Sequence, residues 1–462
     1  MILNEKIFRE YDIRGVVGKD FDSFVAYELG RSFADLVAED NASLSRDQLT
    51  VAVGNDCRLS ADEMREAVVR GLNDGGVNAL ITGMGPSPQL YFINATENVH
   101  GAIQITASHN PGDQNGFKMM VGKRTLSGAD IRAIGERIKT KKDPVDKKGT
   151  AKEINSRELY LKELIARSKD QMGSRKIKVV VDAGNGVGGL VGPDLLRALG
   201  CEVIELFTEP DGTFPNHHPD PTVLENIVEL RKKVVELGAD CGIGWDGDAD
   251  RIGVIDEKGE PIYGDMLLVI YGRALLGELK NPTIIGDVKC SELLFSDLNS
   301  KGANAVMAKT GHSLIKAKMK ELNAELAGEM SGHMFFAHRY FGFDDAIHAS
   351  ARFVEIISKT DKKVSELLSD LPKMYSTPEI RLDLPEEIKF KIPQLAQEAF
   401  SEYRVNTIDG VRVAFEKGWG LCRASNTQAC LVMRFEAETP ELLFEYQTLF
   451  EARIHKLISE NS

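Results

Sequence analysis

Three widely spaced stretches of the 462-residue sequence share one pattern: an apolar β-rich run, a small or acidic turn, and then a helical period. They are residues 49–53 before Gly54-Asn55-Asp56, residues 177–181 before Asp182-Ala183-Gly184, and residues 283–285 before Gly286-Asp287. Each pattern predicts a strand–helix unit of a largely parallel sheet. Their wide spacing predicts three related α/β domains in series.

Breaks in this pattern predict four domains, covering residues 1–150, 151–255, 256–368 and 369–462. A lysine-rich stretch, residues 139–152, is typical of a linker, and residues 256–259 predict a hairpin turn. Residues 369–385 contain three prolines and predict the last boundary. Beyond it, residues 411–416 and 429–436 predict two strands joined by a loop, so the last domain is expected to be α+β.

Composition excludes several classes of protein. The net charge of −13 argues against a nucleic-acid surface, which needs an excess of cations. No apolar run is long enough to span a bilayer, and the first residues lack the apolar core of a signal peptide. The six cysteines are scattered without a C-x-x-C pair, as expected for reduced thiols. We therefore expect a cytoplasmic protein without a nucleic-acid or membrane partner.

A serine lies on a turn closed by Asn-Pro in the segment TASHNP, residues 106–111, directly after the apolar run 102–105. Proline removes a backbone donor and biases Asn110 away from helix. Ser108 is therefore predicted on a fixed loop after a strand. Two interpretations stay open: a nucleophile on a rigid loop, or a Ser/Asn turn that only hydrogen-bonds to itself.

The segment WDGDADR, residues 245–251, places three carboxylates at every second position after a predicted strand. In an extended segment these side chains would share one face and repel unless a cation lay between them. Carboxylate oxygens favour Mg²⁺. A calcium loop is disfavoured because Arg251 stands where that loop needs glycine. A solvated acidic turn remains the alternative.

A glycine-rich turn offers a rival function. Gly184, Gly186 and Gly189 match G-x-G-x-x-G after a predicted strand, and Glu205 follows at the spacing of a ribose-binding carboxylate. A nicotinamide-dependent dehydrogenase is therefore an alternative class. Close packing of a strand-to-helix turn also explains the glycines, and the dehydrogenase hypothesis leaves the other motifs unexplained.

Three further loops carry groups suited to a phosphorylated sugar. Residues 423–427, RASNT, offer a guanidinium, two hydroxyls and an amide, and residues 309–313, KTGHS, precede a predicted helix whose N-terminus attracts anions. Residues 328–333, GEMSGH, place an acceptor, a hydroxyl and an imidazole at alternate positions, as polyol recognition requires. The alternative is a polar hairpin loop for RASNT and a buried polar loop for GEMSGH. Together with the serine and the carboxylates, they favour phosphoryl transfer over a hydrolase triad.

The motifs TASHNP, DGDADR, GEMSGH and RASNT, in this order and wide spacing, resemble the α-D-phosphohexomutase superfamily. The opening FREYDIRG and the stretches DVKCSELL and KTGHSLIK resemble its bacterial phosphomannomutase/phosphoglucomutase branch. The resemblance covers nearly the whole chain. It implies three related mixed α/β domains plus a C-terminal α+β domain around a central active-site cleft.

The resemblance also implies residue roles. Ser108 would carry the phosphoryl group, and the metal ligands would be Ser108, Asp246, Asp248 and Asp250. Charge stabilisation and proton transfer would fall to His109, Lys118, Arg251 and His333. The substrate would be bound by Tyr11, Arg14, Lys289, His312, Glu329, Met330, Ser331, Gly332, His333, Arg423, Ser425, Asn426 and Thr427, of which the last four would hold the non-reacting phosphate.

The implied reaction moves a phosphoryl group between C1 and C6 of glucose and mannose phosphates, with Mg²⁺ and a hexose 1,6-bisphosphate intermediate. Small hexose phosphates are the expected partners, and we expect a monomer. The alternatives are a phosphoglucosamine mutase, a metal-dependent sugar phosphatase using the same phosphoserine, and a sugar-phosphate binding protein without enzyme activity.

Overall fold

The computed structural model of the protein describes residues 2–140, 142, 145–426 and 429–461. These residues form two compact units. The first comprises the chain up to Leu267 together with Ser331–Glu366, and the second comprises Leu268–Met330 together with the chain from Leu367 onward.

The first sheet of the first unit has seven strands in the order β1-β5-β4-β2-β3-β7, with β6 paired to β5. The strands are β1 (Ile13–Val16), β2 (Thr50–Asn55), β3 (Asn78–Met84), β4 (Gly101–Ile105), β5 (Gln114–Val121), β6 (Arg124–Thr125) and β7 (Ala151–Glu153). The helices are α1 (Ser23–Asp40), α2 (Ala61–Asp74), α3 (Ser87–Thr96) and α4 (Ala129–Lys139). Strand β2 is parallel to β3 and β4, whereas β5 is antiparallel to β4.

A second sheet in the same unit has the order β12-β11-β10-β8-β9. Its strands are β8 (Lys178–Asp182), β9 (Glu202–Leu206), β10 (Cys241–Trp245), β11 (Ile252–Asp256) and β12 (Pro261–Ile262), with helices α5 (Ser156–Ser168), α6 (Gly192–Ala198) and α7 (Val228–Leu237). Strands β9, β8 and β10 are parallel, and β11 returns antiparallel to β10. Gly238 ends α7 in the left-handed conformation that glycine adopts without a steric penalty.

The second unit begins within α8 (Gly264–Leu276) and contains a parallel group in which β13 (Thr283–Asp287) pairs with β14 (Asn304–Ala308) and β15 (Leu326–Gly328). Helices α9 (Glu292–Ser300) and α10 (His312–Leu322) connect these strands. Strand β16 (Met334–Phe336) and helix α11 (Ala346–Ser358) belong to the first unit.

The C-terminal part of the second unit is an antiparallel sheet in the order β17-β22-β21-β20-β19, with β18 paired to β22. Its strands are β17 (Tyr375–Ser376), β18 (Ile380–Asp383), β19 (Arg404–Asn406), β20 (Val411–Phe415), β21 (Gly418–Ala424) and β22 (Cys430–Ala437). Its helices are α12 (Glu386–Lys389), α13 (Lys391–Ala399) and α14 (Pro440–Asn461). Its core includes Phe400, Phe435 and Phe450.

The predicted fold class is confirmed: mixed α/β sheets precede a C-terminal α+β part, and the three predicted strand–turn units are β2, β8 and β13. One prediction was wrong, because residues 411–436 form three strands rather than two, with β21 between the two that the apolar runs indicated. The predicted domain boundaries stay predictions. Strand β7 joins the first sheet beyond residue 150 and β12 joins the second beyond residue 255.

Among the described residues, no helix combines the length and apolar character needed to cross a bilayer. The six cysteines all lie within the described ranges and are buried, and no disulfide joins any two of them. That these thiols are reduced stays a prediction.

Helices α1 and α2 pack at very short range because glycines face each other across the contact. A Cβ atom on Gly71 would lie 2.1 Å from the carbonyl oxygen of Tyr27, and one on Gly30 would lie 2.3 Å from that of Val68. We expect Gly71→Ala to lower the thermal midpoint of unfolding. Overpacking costs about 1–3 kcal/mol, which exceeds the gain in helix propensity of about 1 kcal/mol.

The control is Glu66→Ala on the exposed face of the same helix, which should leave the midpoint nearly unchanged. Scanning calorimetry measures both variants. A higher midpoint for Gly71→Ala would show that propensity, not the close approach, decides the choice of residue at this position.

Candidate active site

The predicted nucleophile lies on a tight turn that follows β4. Ser108 is 1% exposed and adopts a left-handed conformation with φ of 53°. Such a conformation is costly for a residue with a side chain and is concentrated at functional sites. The hydroxyl Oγ donates to Asp246 Oδ2 at 2.6 Å, and Nδ1 of His109 lies 3.0 Å from Ser108 Oγ. The turn therefore aims the serine oxygen at the acidic segment.

The three aspartates of that segment converge, but not by strand alternation. The chain leaves β10 at Trp245 and turns before β11, with Ala249 in the left-handed region at φ of 56°. The turn, rather than an extended face, gathers Asp246, Asp248 and Asp250 so that their ligand oxygens lie within 4.8 Å of one another. This corrects the extended geometry expected from the sequence, while the clustering itself is observed.

Burial and mutual repulsion make this cluster a strong attractor for a cation. Burial is the main cause that raises the pKa of Asp246 well above its usual range, and the negative charges of Asp250 and Asp248 raise this pKa further. Asp248 Oδ1 is buried and accepts no hydrogen bond from the described residues. A hard divalent ion such as Mg²⁺ fits this donor set, because it is bound by oxygen ligands and offsets their repulsion.

Lys118 on β5 contributes the nearest side-chain cation. Its ammonium donates to Asp248 Oδ2 and to Asp250 Oδ2, both at 2.5 Å. Burial alone would lower the pKa of Lys118, but the two carboxylates outweigh it and raise the pKa well above the usual range. The lysine is therefore held as an ammonium in this arrangement.

Two histidine rings and the guanidinium of Arg251 contact one another beside the same cluster. Arg251 and His333 form an isolated antiparallel bridge, which brings their side chains together. Nε2 of His333 lies 3.2 Å from Arg251 Nε and 3.2 Å from Asp250 Oδ1. Arg251 Nη1 lies 3.5 Å from His109 Nε2. Desolvation is the main cause that lowers the pKa of His109 well below its usual range, and the positive charges of Arg251 and Arg14 lower this pKa further.

The N-terminal segment also contributes to the nucleophile turn. Arg14 on β1 donates to Asp12 Oδ2 at 2.8 Å, to Ala107 O at 3.1 Å and to Asn110 Oδ1 at 2.9 Å. Arg14 is thus tied to the residues that flank Ser108. Tyr11 lies just before β1 and is half-buried.

The second unit gathers a separate set of predicted residues. Gly311 N donates to Glu329 Oε1 at 2.6 Å, and Met330 N donates to Asp287 Oδ1 at 3.4 Å. Lys289 Nζ lies 4.0 Å from Asp287 Oδ2. One buried ammonium and two buried carboxylates thus surround the end of β15 and the start of α10, where acceptors and a cation can bind a polyol anion.

The predicted phosphate loop, residues 423–427, begins with the last two residues of β21. Arg423 donates through Nε to Asp409 Oδ2 at 2.9 Å, and the same oxygen accepts from Thr310 N at 3.1 Å. Asp409 therefore links the arginine to the loop before α10. Ser425 is buried. Thr427, also predicted in this set, lies outside the described residues.

The predicted site residues thus fall into two groups. The first unit holds Tyr11, Arg14, Ser108, His109, Lys118, Asp246, Asp248, Asp250, Arg251, Ser331, Gly332 and His333. The second unit holds Lys289, His312, Glu329, Met330, Arg423, Ser425 and Asn426.

Sequence reasoning missed three carboxylates that orient the second group: Asp287, Glu379 and Asp409. Asp287 had a detectable signal, since it ends β13 in a Gly-Asp turn like that after β2. Glu379 lies 90 residues from its partner Lys289, and Asp409 lies 99 residues from its partner Thr310. No local pattern in the sequence marks them.

The glycine-rich turn after β8 has a packing role. A Cβ on Gly186 would lie 2.7 Å from Gly247 O, and one on Gly189 would lie 2.0 Å from Thr208 O. Glu205 accepts from Thr208 Oγ1 at 2.6 Å and pairs with Arg197. The close packing explains the glycines without a dinucleotide.

Four family models match the chain in order. They are the phosphoglucomutase/phosphomannomutase α/β/α domain I at residues 5–144, domain II at 158–259, domain III at 263–375, and the C-terminal domain at 379–452. The chain belongs to the phosphoglucomutase/phosphomannomutase family.

Relatives of known name agree with this membership. A phosphomannomutase/phosphoglucomutase of Pseudomonas syringae is 44% identical over 99% of this chain and 96% of its own length. A phosphoglucomutase of Neisseria gonorrhoeae is 43% identical over 98% and 97%. The crystal structure of a phosphoglucomutase/phosphomannomutase family protein from Burkholderia thailandensis superposes with a TM-score of 0.90 at 38% identity, covering 98% of each chain.

Glu379 supplies a pH-dependent contribution to the stability of the second unit. Burial would raise its pKa, but the Lys289 ammonium and the Arg381 guanidinium outweigh burial and lower the pKa to about 2. Folding thus lowers the pKa from its ordinary value of 4.5. The stabilisation is complete above that value and is lost as the pH falls through it towards 2.

We expect Glu379→Gln to lower the free energy of unfolding at neutral pH. The difference in this free energy between the wild-type protein and the variant should shrink as the pH falls below 4.5. Denaturant titrations at several pH values measure this, with Glu387→Gln, an exposed carboxylate, as the matched control. A wild-type–variant difference that is the same at all pH values would contradict the assigned ion pair.

Proposed function

We propose that this member of the phosphoglucomutase/phosphomannomutase family interconverts hexose 1- and 6-phosphates through a phosphorylated Ser108. The observation that carries the proposal is the buried contact of 2.6 Å between Ser108 Oγ and Asp246 Oδ2, at the edge of three converging carboxylates. An oxygen nucleophile beside a cation-binding cluster is what phosphoryl transfer requires.

Mannose and glucose phosphates are the proposed substrates. The similar protein of Pseudomonas syringae is named for both sugars and that of Neisseria gonorrhoeae for glucose, which does not favour the amino-sugar alternative. The chain is therefore a hexose phosphate mutase. Its monomeric state and cytoplasmic location stay predictions.

The first transfer begins with phospho-Ser108 and a hexose 1-phosphate. The 6-hydroxyl oxygen of the sugar forms a bond to phosphorus as the bond from phosphorus to Ser108 Oγ breaks. The hydroxyl proton passes to a protein base, and Ser108 regains a proton. The products are the hexose 1,6-bisphosphate and the unmodified serine.

Three groups of the first unit are placed to hold or move these protons. Nδ1 of His109 lies 3.0 Å from Ser108 Oγ, and the lowered pKa of this histidine keeps it neutral and able to accept a proton. His333 contacts Asp250 Oδ1, and Lys118 lies between Asp248 and Asp250. We propose His109 as the proton-transfer group beside the serine oxygen, His333 as the candidate base on the sugar side, and Lys118, held as an ammonium, as a candidate proton donor there.

Asp246, Asp248 and Asp250, with the phosphate on Ser108, are the proposed Mg²⁺ ligands. When bound, Mg²⁺ would neutralise charge on the transferring phosphoryl group. Arg251 stands beside the same cluster and offers a guanidinium to the phosphoryl oxygens.

Residues of the second unit are the proposed ligands of the sugar and its non-reacting phosphate. Glu329 would accept from sugar hydroxyls, with Met330 adjoining it, and Lys289 and His312 would offer donors. Arg423, Ser425 and Asn426 would hold the phosphate, as would Thr427, which the structure does not describe.

The second transfer requires the bisphosphate to bind with its two phosphates exchanged. Ser108 Oγ then forms a bond to the phosphorus at C1 as the bond from that phosphorus to the C1 oxygen breaks. The serine proton passes to a protein base and the C1 oxygen takes up a proton, which gives hexose 6-phosphate and phospho-Ser108. This reversal exchanges the places of the 3- and 4-hydroxyls across the ring. A loop that binds that pair, the role proposed for Glu329 and Ser331, serves both orientations. The 2-position then lies in different places in each orientation, so discrimination between glucose and mannose is expected to be weak.

We expect the purified protein to carry one phosphoryl group on Ser108 in part of the molecules, detected by intact mass before and after phosphatase treatment.

Catalytic efficiencies for glucose 1-phosphate and mannose 1-phosphate should agree within about tenfold, or 1.4 kcal/mol. Ser108→Ala should lose the mass increment and lower turnover of both sugars by about a thousandfold or more.

The matched control is Ser296→Ala, an exposed serine on α9, which should keep both the mass increment and turnover. Near-normal turnover by Ser108→Ala would refute the phosphoserine. Release of free phosphate in place of the isomerised sugar would instead indicate the phosphatase alternative.

A further inference from the structure

A fully buried arginine lies beneath the nucleophile turn. Arg58 follows β2, and its side chain is 0% exposed. It donates through Nη2 to Ser108 O at 2.7 Å and to Asn110 O at 2.6 Å, and through Nη1 to Pro111 O at 2.6 Å and Gln114 O at 2.8 Å. One guanidinium thus binds four carbonyl oxygens within seven residues of chain.

The fifth N–H donor of this guanidinium binds a carboxylate that is itself linked to the backbone of Ser108. Arg58 Nε donates to Asp56 Oδ2 at 3.1 Å, and the same carboxylate oxygen accepts from Thr106 Oγ1 at 2.6 Å. Thr106 Oγ1 in turn accepts from Ser108 N at 2.8 Å. Both backbone groups of Ser108, its carbonyl and its amide, are therefore held by one buried ion pair. All five guanidinium N–H groups have an acceptor.

Ser108 needs such support because of its backbone conformation. Its φ of 53° is sparsely populated for a residue with a side chain, and it persists only where the surroundings determine it. The fit is also tight on the opposite side, since a Cβ added to Gly247 would lie 2.4 Å from Ser108 O. A shift of that carbonyl would move Oγ away from Asp246.

We infer that Arg58 is a positioning residue for phosphoryl transfer: it fixes the backbone of Ser108 so that Oγ faces the Asp246 carboxylate. The inference rests on the proposed phosphoserine. Arg58 has no exposed atom to offer to a sugar, so it acts through Ser108 and not on the substrate. Loss of the hydrogen bonds that its guanidinium makes to the nucleophile turn should slow the chemical step while leaving substrate affinity largely intact.

Arg58→Lys tests this most directly. Lysine keeps the charge and most of the volume, but its single ammonium has three donors and cannot span four carbonyls and a carboxylate. We expect kcat for glucose 1-phosphate to fall by about a hundredfold, because a displacement of about 1 Å at a reacting group can cost that much. KM should stay within about threefold of the wild-type value.

The matched control is Arg65→Lys, which changes a half-buried arginine on the neighbouring helix. Arg65 bonds Asn55 Oδ1 and Asp62 Oδ1 and makes no bond to the nucleophile turn. It should keep wild-type kcat. A second readout is rescue: millimolar guanidinium should restore part of the kcat of Arg58→Ala and none of that of Ser108→Ala.

Wild-type kcat in Arg58→Lys would overturn the inference. So would a fall in kcat that matches the fraction of unfolded protein, without rescue by guanidinium, because that pattern belongs to a purely structural arginine. If neither Arg58 variant folds, Thr106→Val deletes the hydroxyl that joins Asp56 Oδ2 to Ser108 N and leaves the Arg58 bond to Ser108 O in place. Unchanged kcat in that variant would also overturn the inference that the buried ion pair positions Ser108. Activity of Ser108→Ala, measured in parallel, would instead show that the phosphoserine proposal itself is wrong.

Discussion

The repulsion among the buried carboxylates of Asp246, Asp248 and Asp250 is the interaction on which the rest of the first unit depends. An unpaired buried charge costs several kcal/mol, and these three side chains are each no more than 1% exposed. Lys118 offsets part of this charge by bonding two of them. A phosphate on Ser108 would add about −1.5 to −2 charges at neutral pH. A divalent cation beside the lysine would offset much of the remaining negative charge.

Holding such a cluster requires a rigid scaffold, and the chain provides it through buried hydrogen bonds from distant elements. Ser87 at the start of α3 donates through its backbone N to Asp248 O at 2.9 Å, and its hydroxyl donates to the carboxylate of the same residue. Arg58 holds the facing turn through four carbonyls. Ser108 and Ala249, two of the non-glycine residues with positive φ, lie on these opposed turns. Both turns therefore carry a conformational cost next to the reacting atoms.

Much of this could be predicted from the sequence, because turn chemistry and strand periodicity are local. Short sequence patterns predict the loops after β4 and β10. They also predict the strand–turn units at β2, β8 and β13. Strand β21 was missed because glycines at 418 and 420 weaken a strand signal; in the structure a Cβ on Gly420 would lie 2.9 Å from Phe435 and Phe450. Arg58, Glu379 and Asp409 act across long sequence separations, which single-sequence patterns do not record.

The most direct test of the carboxylate cluster is a calorimetric titration of the chelator-treated, phosphorylated protein with Mg²⁺, beside the variant Asp248→Asn. We expect one site in the wild-type protein and binding weaker by about tenfold or more, 1.4 kcal/mol, in the variant. That loss follows because the variant removes one of three converging charges while keeping the shape of the side chain. Equal Mg²⁺ affinity in the two proteins, or no binding to either, would contradict the account of this cluster as a cation site.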